Sequence, residues 1–181
     1  DGFRLVEIER VSGSPHYEVR PTPAGSPADQ PISDALHAFD PQDVGPRWAA
    51  AMNSRETEPG RAIALARTLL EDVCKWILTE SNAGYAEADD LPVLYRRLSK
   101  VLKLAPDDHT EQIFKQILGS CASIVEALGA LRNKLSEAHS LGPKRARPLP
   151  RHADLAVNLS GSMAAFLVAT WQARREQEQA A

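Results

Sequence analysis

Proline placement constrains this chain more than any other feature. Seven of its 13 prolines (Pro15, Pro21, Pro23, Pro27, Pro31, Pro41, Pro46) lie before residue 47. The other six stand at apparent helix starts or in one loop. Inside a helix, proline removes a hydrogen bond and clashes with the preceding turn. Long helices can therefore form after residue 47, whereas the segment before it reads as something else.

That earlier segment begins with two short apolar-rich runs, Phe3 to Val11 and His16 to Arg20, flanking Ser12-Gly13-Ser14-Pro15. They predict a β-hairpin with imperfect alternation. Pro21 to Pro31 is rich in Pro, Ala, Gly and Ser and reads as an exposed linker. After a short helix around Arg47 to Ser54, four helical patterns follow. The first spans Pro59 to Glu80, with a stripe of Ile63, Ala66, Leu70, Val73 and Ile77 at three- and four-residue spacing. Thr57 and Pro59 suit its cap and first turn. The second covers Leu91 to about Leu104, capped by Asp89 or Asp90. The third runs from after Pro106 to about His139, with a stripe of Ile113, Ile117, Cys121, Ile124, Leu128, Leu131 and Leu135. The fourth covers Arg151 to Gln177.

The expected fold class is all-α: a helical bundle of about four long helices behind a short N-terminal β-hairpin and a Pro-rich linker. Residues 1–45 form the hairpin and linker segment, and residues 46–181 the helical domain. The chain opens on Asp1 rather than methionine, which points to further residues upstream.

An apolar share of 43% and a charged share of 25% suit a globular domain. The net charge of −3 excludes a polybasic nucleic-acid binder as a whole-molecule description. No apolar run approaches a membrane span and no signal peptide is visible, so the expected location is cytoplasmic, with no membrane partner. Cys74 and Cys121 fall among apolar residues of helical patterns and read as reduced core thiols. No Cys or His pair has ligand spacing, so no metal site is expected.

The chemistry concentrates in Leu131-Arg132-Asn133-Lys134-Leu135-Ser136-Glu137-Ala138-His139. Arg132 follows Leu128 by four residues and His139 follows Leu135 by four, so both lie beside the apolar stripe. Seven residues is close to two turns, placing their Cα atoms roughly 10 Å apart on one face. A general acid/base and a fixed cation so placed suit work on a phosphodiester. The same residues suit capping or hydrogen bonding at a helix end. From Arg132 to Arg151 six basic residues (Arg132, Lys134, Lys144, Arg145, Arg147, Arg151) face one acid, Glu137, a local charge of +5. Such a patch attracts a polyanion; it equally suits a solvated loop after a helix C-terminus. Arginine followed by histidine after four to six residues occurs four times in the chain, so spacing alone carries little. His152, at the start of the fourth pattern, reads first as a helix-start residue and second as a substrate contact. Trp76 and Trp171 read as core. Glu71 and Asp72 can pair with Arg67 and Lys75 by helical spacing.

Arg132-Asn133 followed by His139, on the third long helix of a small bundle, resembles the arginine–polar–histidine motif of the HEPN ribonucleases. More narrowly, Gly60 to Trp171 is similar to the C-terminal domain of abortive-infection (Abi-C type) proteins. The segments that carry this are Ala66 to Lys75, Leu131 to Leu135 and Arg151 to Leu159. Six residues separate arginine from histidine, the long end of the family's range. Ser136-Glu137 and Ser140 stand where the family's pattern has Gly-Asp and a glycine.

The resemblance implies a homodimer with the motif helices lining a shared cleft. It implies metal-independent RNA cleavage through 2′-hydroxyl attack to a 2′,3′-cyclic phosphate, with no cofactor. His139 would be general base or acid, Arg132 would stabilise the phosphorane and Asn133 would position the scissile group. Lys134, Lys144, Arg145, Arg147, Arg151 and His152 would contact RNA. The setting it implies is phage defence or a toxin system, with an antitoxin as a further partner. Two other readings stand beside it: a non-catalytic helical dimerisation or RNA-binding module, and a helical sensor domain regulating a partner.

Overall fold

A computed structural model describes residues 3–11, 14–21, 28–40, 42–104 and 148–180, with 116, 117, 120, 123, 124, 127, 128 and 130 between them. The chain divides into two compact units, residues 1–30 and 31–181.

The first unit contains the hairpin, β1 (Phe3–Val11) and β2 (Ser14–Pro21), paired antiparallel as a two-stranded sheet. Leu5 pairs with Val19 and Glu7 with Tyr17, but Glu9 pairs with His16, leaving Ile8 as an extra residue. This bulge is the physical reason for the broken alternation in the sequence, because one inserted residue shifts the period-2 pattern. Ile8, Tyr17 and Val19 are exposed.

The second unit is helical. Helix α1 (Asp29–Phe39) begins in what reads as linker, and its Ile32 and Leu36 are buried in the common core. The boundary expected at residue 45/46 therefore differs from the division at 30/31. Pro31 is tolerated because it lies in the first turn of α1, where N–H groups lack helical partners anyway. Helix α2 (Val44–Ser54) follows, and its Trp48 is 2% exposed with Nε1 donating to Ser33 Oγ at 2.8 Å.

Helix α3 (Pro59–Glu80) is central, packing against α2, against α4 (Leu91–Val101) and against α5 (Pro150–Gln179). All five residues of its expected stripe are fully buried. Its N-cap is Glu58 rather than Thr57, with no side-chain capping bond. Asp90 caps α4 by accepting from Val93 N at 3.1 Å. Of the third pattern, Leu128 is buried in the core and Ile124 packs on it, whereas Ile117 is 53% exposed and leaves the expected stripe.

Helices α3 and α5 run in the same direction. Pro148, just before α5, lies 3.7 Å from the position a Cβ on Gly60 would take, while Trp76 and Trp171 meet at 5.0 Å between ring centroids. Gly161 makes the α2–α5 approach possible, since a Cβ there would overlap the Trp48 ring and come within 3.3 Å of Ile32. Among the described residues, α5 is the one helix long and apolar enough by composition to cross a membrane, a run the sequence reading does not identify. Half of its most apolar 18-residue window is buried inside the bundle, which accounts for that composition.

Candidate functional site

Seven of the nine nominated site residues, Arg132, Asn133, Lys134, His139, Lys144, Arg145 and Arg147, lie outside the described residues. So does Cys121. Arg151 and His152 are described, and both are exposed in the first turn of α5. The described residues on either side of the motif are anchored: Leu128 in the core, and Pro148 beside the first turn of α3.

His152 has a local partner. Its Nδ1 accepts from the backbone N–H of Leu149 at 3.2 Å, and its own backbone N–H donates to Leu149 O at 2.9 Å. Accepting through Nδ1 requires that nitrogen to be unprotonated, so the neutral ring carries its proton on Nε2. This is the helix-start role.

One arginine with no signal in the sequence ties this end of the bundle together. Arg55, just past α2, donates from Nη1 to Asn158 Oδ1 at 3.3 Å and from Nε to Met52 O at 3.2 Å. Its Nε also stands 3.6 Å from Asp154 Oδ1. Its side chain is only 14% exposed. The guanidinium thus holds the second and third turns of α5 against the C-terminal end of α2.

Within α3, Arg67 Nη2 pairs with Glu71 Oε1 at 3.0 Å, the i,i+4 pair the spacing predicts, with side chains 7% and 18% exposed. Buried Arg67 Nε and Ser160 Oγ have no hydrogen-bond partner. Asp72 does not follow the helical-spacing reading. It forms an ion pair with Arg47 of α2. Burial raises the Asp72 carboxyl above its ordinary value, and Arg47 only partly offsets this. The Cys74 thiol is fully buried and pushed far up by desolvation, beyond use as a nucleophile. Among the described residues no group of three or more His, Cys, Asp and Glu is placed to hold a metal ion.

The described end presents an exposed arginine and a histidine engaged through one nitrogen, with a half-buried guanidinium, Arg55, bonded to the next turns of α5. Residues 43–171 match the model of the Abi_C family, described as a HEPN-like domain. The matched span takes in Arg132, Asn133 and His139 together with all six nominated RNA contacts. No curated protein and no solved structure matches the chain.

Proposed function

The chain belongs to the Abi_C family of HEPN-like domains, and from that premise we propose that it is a metal-independent endoribonuclease of a bacterial abortive-infection system. The observation that carries this is the position of Arg132-Asn133 and His139 inside the matched span, within the most basic stretch of the chain.

The reaction follows from the residue types. The ribose 2′-hydroxyl gives its proton to a general base, and its oxygen bonds to phosphorus as the P–O5′ bond breaks. The 5′-oxygen takes up a proton. The products are a 2′,3′-cyclic phosphate and a 5′-hydroxyl, and DNA, lacking the nucleophile, is not cut. His139 serves as base or acid, since an imidazole with a reference pKa near 6.5 has both forms accessible around neutrality. Arg132 holds the charge that grows on the non-bridging oxygens, and Asn133 orients the phosphate. Lys134, Lys144, Arg145, Arg147 and Arg151 track the RNA backbone. His152, engaged with Leu149, contributes to the shape of the helix start more than to substrate contact. A homodimer bringing two motif helices to one cleft, an antitoxin partner and cytoplasmic action complete the proposal.

The test is incubation of purified protein with total RNA in EDTA, followed by end-group analysis. Fragments ending in 2′,3′-cyclic phosphate are expected, together with loss of about 10²- to 10⁴-fold in rate for His139→Ala with the fold intact. Equal RNA binding by wild type and His139→Ala, with neither cutting, would establish the non-catalytic RNA-binding module instead.

A further inference from the structure

A cleft of about 370 Å³ lies between the α1–α2 turn, α2 and the C-terminal half of α3. Its α3 wall presents Asp72, Lys75, Trp76, Thr79 and Glu80, residues that share one helical face by their spacing. Asp40, Asp43 and Arg47 face that wall, and Tyr85 closes one end. The volume falls within the range of small-ligand sites.

The charges do not cancel. Four carboxylates and two cations line the cleft. Asp40 is occupied locally, its Oδ1 accepting from the backbone N–H groups of Gln42 and Asp43 at 2.9 and 3.2 Å. Arg47 is taken by Asp72. Lys75 stands 5.9 Å from the centroid of the Tyr85 ring and forms a cation–π contact there. Asp43, at the N-cap of α2, makes no capping bond with its side chain. Glu80 is exposed at the rim. Asp43 acts on the Asp72 carboxyl in the raising direction, as a neighbouring negative charge does. The cleft is short of positive charge.

Its walls are also partly aromatic. Trp76 and Tyr85 are half-buried, and Trp76 is braced from behind by Phe39 and Trp171, at 4.3 and 5.0 Å between ring centroids. Carboxylates beside a rigid ring suit a planar organic cation, which can receive two parallel N–H···O bonds and lie on the ring. An ammonium ion can use the charge but not the plane.

We propose that this cleft is a binding site for a guanidinium group, between Asp43 and the Arg47–Asp72 pair and against the indole of Trp76. The group is either the side chain of a protein-borne arginine or a free guanidinium compound. It takes no part in RNA cleavage.

Titration calorimetry on the full chain with N-acetyl-argininamide tests this, with N-acetyl-citrullinamide as the neutral isostere. The arginine compound should bind at least about tenfold more tightly than the citrulline one. Asp43→Asn should remove most of that difference, while Glu87→Gln, outside the cleft, should leave it unchanged. Far-UV circular dichroism and thermal melting establish that each variant is folded. Equal affinity for the two compounds, or an Asp43→Asn variant that binds like wild type, overturns the assignment. A short peptide carrying one arginine distinguishes the sources: tighter binding than the free amide points to a protein-borne arginine, equal binding to a small molecule. RNA cleavage is measured in parallel, so failure of either reading is seen separately.

Discussion

Helices α3 and α5 begin side by side and end side by side, yet the two ends are held differently. At their C-terminal ends Phe39, Trp76 and Trp171 form a cluster of rings from three helices, with edge-on and tilted contacts 4.3 to 5.9 Å apart. At their N-terminal ends the contacts are Gly60 with Pro148, Arg55 with Asn158, and His152 with its own Leu149. Aromatic contacts bury large apolar area and tolerate little displacement. One end is held by ring packing, the other by hydrogen bonds and an ion pair.

The sharpest challenge to that contrast is Trp171→Ala. Removing a 7%-exposed indole from the ring cluster should cost about 3 to 5 kcal/mol, read from denaturant unfolding. A cost near zero would mean that the rings do not set the alignment. Arg55→Ala should cost less, about 1 to 3 kcal/mol, because it strands the Asn158 amide oxygen and leaves Asp154 without its cation. Arg151→Ala should leave stability within about 0.5 kcal/mol of wild type, since the residue is exposed. It should instead lower RNA affinity and reduce the log–log salt slope by about one, measured by filter binding across salt concentrations. A large loss of stability in this variant would erase the distinction between the two ends.

The smallest effect concerns pH. Burial raises the folded-state Asp72 carboxyl, so the folded protein holds that proton more tightly than the unfolded chain. This group's contribution to stability is therefore fully present below its unfolded value and falls as pH rises through its folded one. The stability of wild type relative to Asp72→Asn should increase as pH is lowered from about 7 toward 4. The opposite slope would mean that Arg47 outweighs desolvation.

Much of the helical unit was legible because its signals are local. The stripe from Ile63 to Ile77 and the proline at the first position place α3 at Pro59–Glu80, and Asp90 marks the start of α4. Helix α1 was hidden because its apolar face is only three residues, Ile32, Leu36 and Phe39, set among prolines that favour a linker reading. The candidate catalytic residues lie within eight positions of one another on one predicted helix, so they could be nominated from sequence. Arg55 could not, since its partner Asn158 lies 103 positions away. Nor could the cleft, whose walls come from the α1–α2 turn, α2, α3 and the loop beyond α3.

The sequence by itself determined where helices α2 to α5 run, which face of α3 is apolar, and where basic charge accumulates. Backbone hydrogen bonding and periodicity act over a few residues and leave their mark in order along the chain. The tertiary structure alone decided that α3 and α5 run parallel, that Asp72 turns to Arg47 rather than to a neighbour on its own helix, and that acids and rings from three segments line one cleft. Those outcomes depend on which distant surfaces exclude water together, and burial between distant segments has no period.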